Sequence, residues 1–197
     1  MDYSIFQKKI YLHGVKKFNA GYLLVADPFL KDANFSRSVV LLTEVENNMA
    51  MGFLLNKLYP KKLEDLVEDF NDIHFPIYNG GPVQQDTLHF LHNRQDLIDD
   101  GNEIADGIYW GGNFELALSL VKDRILTPRD IRFFIGYSGW DKNQLEQEFD
   151  ENSWLLHRGK SKFIFHHNCD KLWKEVLNDM GAEFSKLSNY PIDPQLN

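Results

Sequence analysis

Residues Arg37 to Thr43 (RSVVLLT) are apolar on both strand parities, and few environments accept such a run. Side chains alternate faces along a strand, so Val39 and Leu41 point one way while Val40 and Leu42 point the other. Neither face can be given to water. The segment reads as a central strand covered on both sides, which demands packed layers above and below a sheet. Gly21 to Asp27 (GYLLVAD), stopped by Pro28, and Arg132 to Tyr137 (RFFIGY) read as further buried strands. With 43% hydrophobic and 14% aromatic residues, including 15 Phe, the 197-residue chain can fill those layers. That composition excludes a disordered scaffold.

The pattern around these strands predicts their partners. Asn47-Asn48 tolerates positive φ and reads as a two-residue turn, with Met49 to Asn56 as the returning strand. A turn centred there sets Val39 opposite Asn56 and Arg37 opposite Leu58, so Arg37 and Asn56 share a face. Strands are also expected at Pro76 to Tyr78, Thr87 to His92, around Tyr109 and at Lys162 to Phe165. Helical spacing predicts helices over Lys62 to Phe70, Phe114 to Val121 and Lys171 to Met180, the last stopped by Gly181. The helix after Asp141 has the clearest start: Asp141 as cap, Gln144 reaching back, and Trp140 with Leu145 as a staple. Short strands mixed irregularly with short helices predict an α+β fold with a mixed, largely antiparallel sheet. The chain reads as a single domain over residues 1–197, with an N-terminal arm (1–20) and a surface tail (185–197).

Charge and cysteine usage exclude several function classes. Twenty-nine acidic against 21 basic residues give a net charge of −8. A nucleic-acid backbone is repelled by such a field, and Lys8-Lys9, Lys16-Lys17 and Lys61-Lys62 are too short to override it, which argues against direct nucleic-acid binding. Cys169 is the single cysteine, so no intramolecular disulfide forms and a reducing compartment is expected. The opening stretch MDYSIFQKKIYLHG lacks an apolar signal region, and no run is long enough to span a bilayer. Cytoplasm, with no membrane association, is the expectation.

Individual motifs argue mostly against familiar chemistries. Ser138 lies in Gly136-Tyr137-Ser138-Gly139-Trp140, where a nucleophile elbow would need its second glycine one residue later. Ser138 therefore reads as part of a tight strand-to-helix turn. His89 and His92 are three apart and point to opposite faces of a strand, while His166, His167 and Cys169 lack a second ligand pair. No metal and no cofactor are predicted. Gly80-Gly81-Pro82 resembles a phosphate cradle, but Pro82 removes a donor and no Walker lysine follows.

Nine segments stand in register with one known family. They are Gly21-Tyr-Leu-Leu, Asp27-Pro28, Phe35-x-Arg37 to Leu42, Met51-Gly52 to Asn56, Gly80-Gly81-Pro82-Val83, Leu91-His92, Gly136-Tyr137-x-Gly139-Trp140, Gln144-Leu145-Glu146-x-Glu148 and Asn152-x-Trp154-Leu155. Their order and spacing resemble the YqgE/AlgH family of bacterial proteins, from about Gly21 to the final helix. The resemblance implies a bent, bifurcating sheet with a barrel-like core flanked by short helices. It implies no catalytic residues or cofactor, only descriptions as a putative transcriptional regulator or a protein of unknown function. Alanine is common in the family at Ser138, and a glycine-containing loop follows Trp140 where this chain has Asp141-Lys-Asn.

The candidate site combines permissive glycines with polar side chains from these segments: Arg37, Asn56, Gly80, Gly81, Tyr137, Trp140, Gln144 and Glu148. Together they would form a binding site for a small molecule or a partner protein, with Arg37 suited to a carboxylate or phosphate. The same positions could instead only hold the fold, with Arg37 on an acid and Trp140 as a staple. Two other readings stand beside these: a hydrolase with Glu148 or His92 as general base, and a regulator contacting DNA directly. An effect on transcription would more naturally be indirect.

Overall fold

The computed structural model describes residues 18–46, 49–68, 70 and 73–190. The Asn47-Asn48 turn, most of the expected N-terminal arm and residues 191–197 lie outside the described residues.

Among the described residues, ten strands join in one mixed sheet. They are β1 (Tyr22–Ala26), β2 (Val39–Glu46), β3 (Met49–Leu54), β4 (Leu58–Lys62), β5 (Pro76–Asn79), β6 (Val83–His92), β7 (Asn102–Ala105), β8 (Ile108–Trp110), β9 (Ile131–Asp141) and β10 (Trp154–Arg158). The main path runs β10-β1-β2-β3-β9-β6-β8-β7, with β5 pairing β9 and β4 pairing β5. The helices are α1 (Phe114–Lys122), α2 (Lys142–Asp150), α3 (Ser161–Ile164), α4 (Cys169–Asp179) and α5 (Ala182–Leu187). The fold is the expected α+β type.

Alternation along β1 and β2 sorts their side chains between two cores. Leu23, Val25, Val39 and Leu41 face a cluster completed by Phe53, Phe134 and the α4 residues Trp173, Val176 and Leu177. Leu24, Ala26, Val40 and Leu42 face another, built with Trp140, Leu145 and Trp154. A third cluster lies under α1, where Ala117 and Val121 meet Phe75, Ile77, Phe90 and Phe133. Strand β9 supplies residues to all three.

The bifurcation is at β9. Phe133 to Ile135 pair in parallel with Ile77 to Asn79 of β5 and antiparallel with Leu88 to Phe90 of β6. A strand has two edges, so β5 and β6 flank β9, and β3 joins farther along at Ser138 to Asp141. The connection from β5 to β6 crosses β9 at Gly80-Gly81. A Cβ on Gly80 would lie 2.1 Å from the Gly136 oxygen, and one on Gly81 2.3 Å from the Tyr137 backbone. Only glycine permits that approach. The bend then brings the far end of the sheet back to its start: a Cβ on Gly21 would lie 2.6 Å from the Ile104 oxygen in β7.

Several local expectations are corrected. A bulge between Leu42 and Glu44 shifts the β2–β3 register, so Val40 pairs with Leu54 and Arg37 does not reach Leu58. The described residues of Lys62 to Phe70 do not form the expected helix. They hold the end of β4 and a single 3₁₀ turn, Leu63–Asp65, whose Leu63 is buried. Lys162 to Phe165 belongs to α3 and its cap rather than a strand; Phe163, Ile164 and Phe165 are all buried, a short apolar run that fits either element. Ser138 sits inside β9, not in a turn. Ser185 to Leu187, assigned to the tail, are helical in α5. Among the described residues strand β4, with Pro60 and Lys61-Lys62, pairs only β5, which suits an edge.

Helix α2 begins as its sequence predicts. The Gln144 N–H donates to Asp141 Oδ1 at 2.7 Å, and Trp140 and Leu145 are both buried. The Gln144 side chain does not reach back, however; its Nε2 donates to Glu148 Oε1 at 2.9 Å. Glu148 Oε2 accepts from both Trp140 Nε1 (2.9 Å) and Trp154 Nε1 (2.8 Å). One carboxylate thus ties β9, α2 and β10 together over the second core. His92, fully buried, is similarly fixed: its Nδ1 accepts the Arg94 N–H at 3.3 Å, which leaves Nε2–H to donate to the Gly111 oxygen at 3.1 Å.

Two outcomes follow from these contacts. Glu148→Ala strands two indole donors and should cost about 2–4 kcal/mol in chemical denaturation, with Glu148→Gln costing less because it keeps one acceptor oxygen. Burial holds His92 and His89 below the ordinary histidine value of 6.5. On acidification the unfolded chain takes up these protons first, so their contribution is present at neutral pH and lost as pH falls below about 6.5. Denaturation series between about pH 7.5 and about pH 5.5 should show that slope, and His92→Gln should flatten it.

Candidate functional site

The turn preceding β2 is built around Asp32, whose Oδ1 accepts the N–H groups of Asn34 (2.8 Å) and Phe35 (3.1 Å). It delivers Arg37 in the left-handed region, φ 51°. Asn56 holds it there. Its Oδ1 accepts the Val39 N–H and its Nδ2 donates to the Arg37 oxygen, both at 2.9 Å, so one side-chain amide replaces two rungs where β2 and β3 part.

This turn forms one wall of a cleft of about 620 Å³ whose opposite wall is the start of α4. The Arg37 guanidinium lies 4.9 Å over the Trp173 ring and its Nη2 donates to the Tyr190 main-chain oxygen. Lys57 and Lys174 add two more cations, Asp170 one acid, Leu58 an exposed apolar edge and Cys169 a thiol. Trp173 is itself anchored by donating Nε1–H to the Ala26 oxygen at 2.8 Å.

Arg132 lies deeper. It is 1% exposed, stacks 4.0 Å from the Tyr78 ring, and donates to the main-chain oxygens of Leu55 (2.9 Å) and His166. Its Nε has no partner, and among the described residues no carboxylate pairs with it. Burial lowers its pKa and raises those of Tyr78 and Cys169, Arg132's charge pulling the last two the other way. The Cys169 thiol is therefore held protonated, not activated.

The eight candidate residues divide among three places. Arg37 and Asn56 line the cleft. Gly80 and Gly81 are at the β9 crossing with their amides already used, on the Ile135 oxygen (2.8 Å) and Asn79 Oδ1 (3.0 Å), which leaves no phosphate cradle. Half-buried Tyr137 packs edge-on against His89 beside that crossing. Trp140, Gln144 and Glu148 form the clamp over the second core. Among the described residues, Arg37 has no acidic partner.

The other candidate chemistries are accounted for by packing. Ser138 is fully buried and donates to the Gly80 oxygen at 3.0 Å. Both His92 nitrogens face main-chain partners, and Glu148 faces two indoles. Among the described residues no three His, Cys, Asp or Glu side chains gather as a metal site. His166 instead contacts Glu175 Oε2 through Nε2 at 2.8 Å.

Sequence reasoning missed Lys57, Trp173, Lys174 and Arg132. Trp173 sits at helical spacing with Val176 and Leu177 and reads as core, which it partly is. Arg132 carried a signal: it shares parity with Phe134 inside RFFIGY, where a charge has no route to water.

Comparison with known proteins places this architecture. A family model described as AlgH-like matches residues 23–185. A "UPF0301 protein" of Chlorobium limicola is 40% identical over 181 residues, 92% of this chain and 97% of that one. A second, from Cytophaga hutchinsonii, is 42% identical over 179 residues, covering 90% and 98%. In three dimensions the chain resembles the solution structure of AlgH from Pseudomonas aeruginosa (TM-score 0.69, 25% identity, 90% and 97% covered). A crystal structure from Corynebacterium diphtheriae shares the fold (TM-score 0.74, 19% identity, 92% and 97% covered). With the family model spanning most of its length and relatives near 40% identity, the chain belongs to the AlgH-like family.

Proposed function

We propose that this AlgH-like protein is a cytoplasmic binding protein whose ligand, a small molecule or a segment of a partner protein, occupies the cleft between the Arg37 turn and α4. The observation that carries this reading is the convergence of Arg37, Asn56 and Lys57 with Trp173 and Lys174, from two distant parts of the sequence, around about 620 Å³ of open space. Its walls offer what a binding site needs, an aromatic plate, an apolar edge and a few fixed polar groups. Asn56 fastens the Arg37 main chain, so the backbone that carries the guanidinium is already placed before a ligand arrives, which lowers the ordering cost of binding.

Any influence on transcription would run through that ligand or partner. A chain of net charge −8 disfavours a duplex backbone. A hydrolytic role has little support, because His92 and Glu148 are committed to structural hydrogen bonds.

A thermal-shift screen with a metabolite panel tests the reading. A ligand at about 100 times its Kd adds about 2.7 kcal/mol and should raise Tm by roughly 5–10 °C. Leu58→Trp, at a position 60% exposed, should narrow the entrance and abolish the shift without lowering the starting Tm. A panel that stabilises neither protein, or both equally, would remove the cleft as the site.

A further inference from the structure

Among the described residues, the cleft carries Arg37, Lys57 and Lys174 against one acid, Asp170, on a protein whose net charge is −8. Local cations concentrated against the global balance attract an anion. Each of the three is at present satisfied by a neutral oxygen of the chain itself. Lys57 Nζ donates to the Ser36 oxygen at 3.1 Å, Lys174 Nζ to Asn189 Oδ1 at 3.3 Å, and Arg37 Nη2 to the Tyr190 oxygen. A cation on a neutral carbonyl makes a weaker hydrogen bond than the same cation on a carboxylate or phosphate oxygen.

Two of the three acceptors come from one short segment. Asn189 and Tyr190 follow α5 at the last described positions, and both are exposed. Besides its bonds to Arg37 and Lys174, the segment is held by two long turn bonds, from the Asn189 N–H to the Lys186 oxygen and from the Tyr190 N–H to the Leu187 oxygen, both at 3.2 Å, and by the Tyr190 ring, edge-on to Phe29 at 5.2 Å, the two residues being 46% and 49% exposed. Such a hold is light enough for a better acceptor to replace. Behind the Cys169 wall, the buried Arg132 has no carboxylate partner among the described residues, and its field adds to the attraction at short range.

We infer that the cleft selects an oxyanion, a carboxylate or phosphate carried on an apolar body, which binds by displacing the chain's own Asn189–Tyr190 segment from Arg37 and Lys174. The inference rests on the binding reading above and adds the ligand's chemistry and a built-in competitor. Leu58 and the Trp173 ring meet the apolar body while Arg37 and Lys174 take the oxyanion. The closing segment keeps the cations paired when no ligand is present.

Anilinonaphthalene sulfonate, an anion on an apolar body, and uncharged phenylnaphthylamine make a matched pair of fluorescent probes for the full-length chain. The sulfonate should bind and lose at least about tenfold in affinity with Arg37→Ala, while any binding of the neutral probe stays unchanged. Tyr190→Ala frees the segment and should tighten the sulfonate by about threefold to tenfold. Asn189→Asp gives the segment its own anion beside Lys174 and should weaken it. Both substitutions are at exposed positions, so the fold is kept. The inference is overturned if the sulfonate binds none of these proteins, if Arg37→Ala affects both probes alike, or if the two segment variants do not move the sulfonate in opposite directions. A neutral ligand from the metabolite panel that still stabilised the protein would leave the binding reading standing while this inference fell.

Discussion

Strand β9 has neighbours on both edges only because the main chain at Gly80-Gly81 can lie flat against Gly136 and Tyr137. The contact leaves no room for a single methyl group. If it were opened, β5 and β6 could not flank the same three residues, and the sheet would lose the fork that separates its cores. Each core depends on that fork. Helix α1 covers the branch carrying β5, α2 covers the opposite face near β3, and α4 fills the concave side. The cleft lies where the concave filling ends, between the Arg37 turn and the first residues of α4.

Much of this was legible in the sequence, for a physical reason. Strands buried on both faces leave a dense apolar signature, so β1, β2 and β9 stood out, and so did the capped start of α2. Elements that take their shape from neighbours left weaker marks. Strand β4 carries a proline and two lysines and looks like a loop until β5 is set beside it. Helix α3 presents three consecutive apolar residues, which propensity alone cannot divide between helix and strand. The bulge after Leu42 moved one register step, and with it the predicted pairing of Arg37.

The site was legible in part. Arg37 and Asn56, singled out as polar members of the segments shared with the family, both line the cleft, although Asn56 serves the Arg37 main chain rather than the opening. Gly80, Gly81, Trp140, Gln144 and Glu148 were conspicuous for another reason. They solve problems of the fold: a crossing too tight for any side chain, and two indole N–H groups that need one acceptor. A sequence shows that such residues are constrained without showing by what. Lys57, Trp173 and Lys174 escaped notice because a surface lysine and a helix-face tryptophan are ordinary until topology gathers them.

The proline in β4 also shapes how the cleft can be approached. Leu58, at the cleft margin, is the first residue of that strand, and Pro60 follows two positions later with no amide hydrogen to offer. A visiting polypeptide therefore finds one main-chain donor missing along this border, which disfavours extending the sheet there with a strand of its own. Recognition at this border would then fall to side-chain shape and charge. Selectivity would be set by a handful of functional groups, which single substitutions could retune without touching the sheet that carries them.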